Sequence, residues 1–272
     1  MFFSANSGIP YQSSGLNLTG PNKVIKYDPQ AKKVVYIADL APFQREYQSA
    51  FGRTVSGFQD MAEDCEGNSY VPFNFNGTGI AKIDPTGSVT PFFTSSFFPP
   101  NQTAQPYNFV GVLTLPSQNK LLVSDWQHGN IVSFDTTSSS PTPTTIKMSN
   151  MPANYTTINC DGMVTPARYP NQEVILCSED FLGGPGAITV FTSKDGWVTG
   201  TFVGAAYNDN PLSTNSTPTA TVQIANSIFI SEMFFFDTPL LDFPGNRSSF
   251  PFIDITSQVD GLVAAEGIKP IG

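Results

Sequence analysis

The sequence predicts an all-β fold, a β-propeller forming a single domain over residues 1–272. Three observations predict it. The composition favours strands and turns, one short phrase recurs five times at a spacing of about 55 residues, and short strand-like runs flank each copy of that phrase. The chain carries 23 Phe, 22 Gly and 23 Pro, while only 13% of its residues are charged. Helix surfaces draw on Lys, Glu and Arg, so their scarcity turns the balance toward strands joined by punctuated turns.

The phrase is a small turn, an alternation of apolar residues, an aromatic residue or Ile, and often Asp. It reads Asn22-Lys23-Val24-Ile25-Lys26-Tyr27-Asp28, then Thr78-Gly79-Ile80-Ala81-Lys82-Ile83-Asp84, then Gly129-Asn130-Ile131-Val132-Ser133-Phe134-Asp135. It returns at Gly186-Ala187-Ile188-Thr189-Val190-Phe191 and at Ser249-Phe250-Pro251-Phe252-Ile253-Asp254. Period-2 alternation marks each copy as a half-buried strand. A second strand precedes each copy, at 1–4, 69–72, 121–124, 175–178 and 228–231. A shorter leading strand precedes most of these, as in Gly57-Phe58-Gln59-Asp60-Met61-Ala62 and Cys160-Asp161-Gly162-Met163-Val164. A fourth follows the phrase, as in Lys33-Val34-Val35-Tyr36-Ile37. Four strands per repeat describe a propeller blade. A β-sandwich also uses many short strands, but nothing in it requires this repeat. The tail Val259-Asp260-Gly261-Leu262-Val263-Ala264 reads as an isolated leading strand that closes the ring with the first repeat. On the other reading, a blade preceded Met1 and the chain is a truncated piece of a six-bladed ring.

The formal charge of −9 repels phosphate backbones and anionic headgroups, which argues against a nucleic-acid partner. No run approaches the roughly 18 apolar residues of a membrane helix, so no membrane span is expected. Six Asn-x-Ser/Thr sequons, at Asn17, Asn76, Asn101, Asn154, Asn215 and Asn246, are candidate glycosylation sites and favour the secretory route over the cytosol. The expected location is then the secretory pathway or the exterior, with the leader absent from this sequence. Of the three cysteines, Cys160 and Cys177 stand at mirrored positions about a hairpin near Arg168-Tyr169. They form a disulfide in an oxidising compartment or remain free buried thiols.

The connections between the second and phrase strands are longest in repeats one and five. The fifth, Met233-Phe234-Phe235-Phe236-Asp237-Thr238-Pro239-Leu240-Leu241-Asp242-Phe243-Pro244, is too apolar to stand in water and reads as a lid over a pocket or as a packing segment. Three second strands end in Ser followed by an acid: Ser124-Asp125, Ser178-Glu179 and Ser231-Glu232. Trp126 and His128, the only histidine, share the turn with Asp125. Asp125, His128, Glu179, Glu232 and Asp161 are therefore the candidate proton-handling residues, and each acid has the alternative duty of satisfying turn amides. Tyr107, Trp126, Phe58, Phe73, Phe181, Met233 and Phe235 are the candidate contacts to an apolar ligand. Gln59, Asp60, Asn108, Asp161 and Asp260 are placed on the channel strands. There they are either solvated or able to coordinate a hard cation such as calcium. No Cys/His zinc spacing and no Gly-x-Ser-x-Gly elbow occurs.

Cys160-Asp161-Gly162-Met163 with Gly183-Gly184, and Asn108-Phe109-Val110-Gly111-Val112 leading to Ser124-Asp125, resemble the senescence-marker/gluconolactonase propeller superfamily. That resemblance implies six blades and a divalent ion held by Glu, Asn and Asp, with Asp60, Asn108 and Asp161 at ligand-like positions. The superfamily's N-terminal Glu-Gly-Pro segment has no counterpart here. Gly57-Phe58-Gln59-Asp60-Met61-Ala62-Glu63-Asp64, the Asn-Gly turns and the Ser-Asp-Trp and Ser-Glu turns resemble, across nearly the whole chain, a fungal propeller family of trichothecene and other natural-product clusters. It is related to hetero-Diels–Alderases. This second resemblance implies a cyclase or pericyclase acting on an apolar terpenoid or polyketide intermediate, with no redox cofactor. A metal-dependent lactonase and a non-catalytic secreted binding propeller are the alternatives.

Overall fold

A computed structural model describes residues 1–13, 16–95, 107–155, 157–180, 186–208, 210–234, 237 and 247–271. Strands dominate them and fall into five successive sheets. The first holds β1 (Phe2–Asn6), β2 (Asn22–Asp28) and β3 (Lys33–Asp39) in that order, with a one-turn helix α1 (Ile9–Gln12) between β1 and β2 in the chain. Helix α2 (Ala41–Phe51) follows. The second sheet runs β4 (Ala62–Glu63), β5 (Ser69–Phe73), β6 (Gly79–Ile83), β7 (Val89–Thr94). The third contains β8 (Phe109–Leu115), β9 (Lys120–Asp125), β10 (Asn130–Asp135) and β11 (Thr144–Thr145). The fourth contains β12 (Lys147–Ser149), β13 (Cys160–Val164), β14 (Val174–Glu179), β15 (Ala187–Thr192) and β16 (Thr199–Tyr207), ordered β12-β16-β15-β14-β13. The fifth is β17 (Thr217–Ile224), β18 (Ser227–Met233) and β19 (Ile253–Asp254), and helix α3 (Thr256–Ala264) follows it.

These sheets are the five repeats, each built on an antiparallel meander of the kind found in a propeller blade. Tyr27, Ile83, Phe134, Phe191 and Ile253 lie on β2, β6, β10, β15 and β19, each preceded by its antiparallel partner strand. Among the described residues no helix is long and apolar enough to cross a membrane.

The chain divides into two compact units, Met1–His128 with Phe134–Pro143, and Gly129–Ser133 with Thr144–Gly272. In the first unit, Val24, Leu40, Phe43, Tyr47, Phe58, Val71, Phe73 and Ile83 belong to one core. Helix α2 joins it through Phe43 and Tyr47, residues one turn apart on one face. Pro42 near its start and Gly52 at φ 70° after its end are the expected boundary signals. Phe58 and Phe73, expected as ligand contacts, are corrected here to core rings. Both are 0% exposed and they pack 5.6 Å apart between ring centroids, with Phe43 5.5 Å from Phe73. Of the expected leading strand at 57–62, only Ala62 is extended into a ladder. Gly57 turns at φ 77°, and a Cβ there would meet Asn74 Oδ1 at 2.4 Å.

The tail is the clearest departure. It forms α3 rather than a closing strand, because Ile255, Val259 and Val263 recur every fourth residue and are all buried. Asp254 Oδ1 accepts the Thr256 N–H at 2.8 Å as the helix begins. Asp260, expected on a channel strand, instead holds Arg168 by two bonds of 2.7 and 3.2 Å and accepts the Tyr169 hydroxyl at 2.7 Å. Gly261 lies exposed in this helix, with open space where a Cβ would stand. Gly261→Ala therefore stabilises the protein by about 0.5–1 kcal/mol. The check is urea unfolding; a loss of stability would contradict the helix.

Candidate functional site

In the second unit, β13 and β14 pair Cys160 with Glu179 and then Gly162 with Ser178, so Asp161 is the extra residue of a bulge. A disulfide joins Cys160 to Cys177, with Cα atoms 5.0 Å apart. Glu179 ends β14 and is 4% exposed, and Asp180 follows it at 9%. Glu179 Oε1 accepts the hydroxyl of Tyr155 and, at 2.8 Å, that of Thr189. The Asn159 N–H also donates to Glu179. Against those bonds, burial pushes the carboxyl up to about 7. Burial and then the neighbouring Asp161 charge push Asp180 up to about 7, and burial pushes Asp161 up to about 6. Desolvation disfavours the charged form of each acid, and the two aspartates repel when both are ionised.

Asp180 Oδ1, Asn159 Oδ1 and Ser178 Oγ are buried without a hydrogen-bond partner among the described residues. Buried polar atoms of this kind are normally paired. On the Glu179 side, Tyr155 lies 5.4 Å from Phe202, which lies 5.9 Å from Phe191. Burial thus raises all three acids at one end of the fourth sheet, and Glu179 touches the aromatic pair through Tyr155.

In the first unit β9 ends at Asp125, which is 0% exposed. Its Oδ1 accepts the N–H groups of Asn108 at 2.9 Å and Gln127 at 3.1 Å. Its Oδ2 faces His128 Nδ1 at 2.6 Å. Tyr107 sets its ring edge-on to His128 at 5.7 Å and stacks on Phe109 at 5.1 Å. Trp126 is half-buried in the same turn. Asp125 and His128 are therefore brought together as expected from their spacing, with Tyr107 beside them.

Glu232 has a different environment from Glu179. Asn208, Ser213 at 2.9 Å and Ser216 at 2.7 Å all donate to its carboxylate, which ties these three residues to β18. Met233 is 48% exposed at the end of β18. Beyond it, Arg247 pairs with Asp237 and lies 3.8 Å over the Phe234 ring, which fastens the first part of the fifth insertion to Arg247. Phe181, Phe235, the rest of that insertion's Phe-rich stretch, and sequons Asn101 and Asn246 lie outside the described residues. The other sequon asparagines, Asn17, Asn76, Asn154 and Asn215, are exposed.

The cation of the lactonase alternative finds a poor fit. Asp60 Oδ1 accepts the Met61 N–H at 2.8 Å and Oδ2 accepts the Val112 N–H at 2.9 Å, so both oxygens are engaged by backbone. Asn108 contributes its backbone N–H to Asp125. Among the described residues no three or more His, Cys, Asp or Glu side chains are grouped to hold a metal ion. A cavity of about 270 Å³ in the first unit, lined by Asp64, Cys65, Glu66, Lys120 and Thr137, includes none of the expected site residues.

Tyr155, Thr189, Asp180 and Phe202 were not singled out by sequence. Asp180 had a usable signal in the doubled acid Glu179-Asp180. Tyr155 was hidden inside the sequon Asn154-Tyr155-Thr156.

No family model matches the chain. It is 27% identical over 268 residues to Trichothecene biosynthesis protein 14 of Trichoderma arundinaceum, covering 95% of this chain and 66% of that protein. It is 24% identical over 264 residues to Core trichothecene cluster protein 14 of Fusarium sporotrichioides, covering 96% of this chain and 64% of that one. The chain thus spans just under two thirds of the length of these relatives. The solved structure of the major Malassezia sympodialis allergen Mala s 1 superposes with a TM-score of 0.72 at 19% identity, covering 93% of this chain and 72% of that one. A luciferin-regenerating enzyme superposes with a TM-score of 0.50 at 10% identity, covering 87% of this chain and 69% of that one. These structures speak to fold alone. In sequence the chain is similar to proteins of fungal trichothecene clusters, and in fold to Mala s 1.

Proposed function

We propose that the protein is a cyclase or pericyclase acting on an apolar terpenoid or polyketide intermediate of fungal secondary metabolism. The observation that carries this is Glu179, a buried acid raised to about 7 and bonded to Tyr155 of the Tyr155–Phe202 pair, with the raised acids Asp161 and Asp180 next to the Cys160–Glu179 strand pair. The names of the curated relatives supply the biosynthetic setting.

A carboxyl kept protonated near pH 7 donates a hydrogen bond or a proton to a substrate carbonyl. That withdraws electrons from the conjugated system and lowers the barrier to ring closure. In a hetero-Diels–Alder closure two new σ bonds form from π bonds, and any proton lent to the oxygen returns to the carboxylate. The product is the sum of its reactants, and no redox cofactor is consumed. Holding an apolar substrate against aromatic walls contributes orientation.

The test uses extract from a strain lacking this gene. Purified protein consumes an accumulating intermediate and gives one stereoisomer of the cyclised product. Glu179→Gln, which preserves shape, lowers the rate by about 100-fold or more. Product stereochemistry matching the uncatalysed mixture, or an unchanged rate in the variant, would refute the proposal.

A further inference from the structure

We infer that the first unit carries a second chemical site, independent of the acids above: Asp125 and His128 form a general-base pair for a planar, weakly polar carbon acid. Asp125 Oδ1 already accepts two backbone N–H groups, so the carboxylate is fixed in orientation. Its Oδ2, 2.6 Å from Nδ1, accepts the imidazole proton there. The other ring nitrogen, Nε2, then carries the free lone pair. A buried carboxylate that fixes the tautomer of an accessible imidazole is the orienting arrangement of a general base. His128 is accessible, its side chain 51% exposed, while that of Asp125 is 0% exposed.

Recognition comes from the rings. Tyr107 meets the imidazole edge-on and is braced by Phe109 and by Phe93 at 6.0 Å. With half-buried Trp126 in the same turn, the surroundings suit a flat ligand better than a long aliphatic one. The ligand class is therefore a conjugated or aromatic molecule with an acidic C–H, such as an enolisable carbonyl compound. Among the described residues, the titratable side chains against the His128 ring are Asp125 and Tyr107.

The probe is 5-nitrobenzisoxazole, whose opening needs only a base. His128 Nε2 takes the C3 proton, the C–H electron pair completes the nitrile, and the N–O bond breaks to leave its pair on the phenolate oxygen. The whole protein opens the probe faster than an equal concentration of free imidazole. His128→Ala lowers the rate by about 10-fold or more, and added imidazole restores it. Asp125→Asn lowers the rate without such rescue, since its imidazole is still in place but no longer held. Ser139→Ala, at an exposed position of the same unit outside the site, leaves the rate unchanged. His128→Gln, checked for a native circular dichroism spectrum, repeats the loss without truncating the side chain. A wild-type rate no greater than that of imidazole, or equal rates in wild type and both His128 variants, would overturn the inference. Either outcome leaves the reading of Glu179 untouched.

Discussion

Raising the pH from 5 to 8 lowers the melting temperature of this protein by about 10 °C or more. The cause is the group of carboxyls in the second unit. Glu179 rises from an ordinary 4.5 to about 7, Asp180 from 3.8 to about 7, and Asp161 from 3.8 to about 6. An acid whose folded value lies above its unfolded value binds its proton more tightly in the native state. The stabilisation is complete below the unfolded values near 4 and is lost as pH rises through the folded values. The window is therefore pH 4 to 8. One pKa unit corresponds to about 1.4 kcal/mol, so Glu179 alone accounts for on the order of 3 kcal/mol. Asp161 and Asp180 share one repulsion, so the three together amount to on the order of 5 kcal/mol rather than a simple sum. The turn aspartates act in the opposite direction but at lower pH. Asp84 and Asp135 are held low mainly by the hydroxyls of Thr86 and Thr137, and Asp195 is held at about 2 mainly by the Thr199 N–H. Their contribution is present above about pH 4 and disappears on acidification below it. Differential scanning calorimetry across this range decides the matter. Glu179→Gln with Asp180→Asn flattens the slope, and a melting temperature that stays constant or rises from pH 5 to 8 would show that these carboxyls are not buried as acids.

Much of the fold is visible in the chain because strand burial has period 2, and the alternation around Tyr27, Ile83, Phe134, Phe191 and Ile253 needs no tertiary knowledge to detect. Helix α3 is hidden in the sequence for a related reason. Val259-Asp260-Gly261-Leu262-Val263 alternates well enough to pass as a short strand, and only by including Ile255 does the four-residue recurrence emerge. The site divides similarly. Asp125 and His128 are three residues apart in one turn, so their contact is local and legible. The environment of Glu179 is not local: Tyr155 and Thr189 reach it from 24 and 10 residues away, and its elevation depends on burial. Phe58 and Phe73 show the converse limit, since an aromatic residue in an extended run reads the same whether it faces a ligand or a core.

Removing the Cys160–Cys177 disulfide destabilises the protein by about 3 kcal/mol and dismantles the acid group in the same step. The bond spans 17 residues, and opening it returns to the unfolded chain the freedom of that loop. In the native state it also clamps the bulge: Cys160 immediately precedes Asp161, and Cys177 lies two residues before Glu179 on the same strand face. Asp161 raises Asp180 through its charge, so a bulge free to relax separates the two and weakens that coupling. A Cys160→Ala/Cys177→Ala protein therefore unfolds at lower guanidinium concentration and shows a shallower fall of melting temperature between pH 5 and 8. The two effects are separable, because loop entropy alone lowers stability equally at every pH, whereas loss of the clamp changes the slope. Both sulfur-bearing residues are 0% exposed, so a thiol reductant acts on the folded protein only as fast as β13 and β14 part, and denaturant accelerates reduction. A double variant of unchanged stability would remove the clamp from the account; one less stable but with the full pH slope would leave the bulge held by β17, whose Thr219 carbonyl stands where a Cβ on Gly162 would fall.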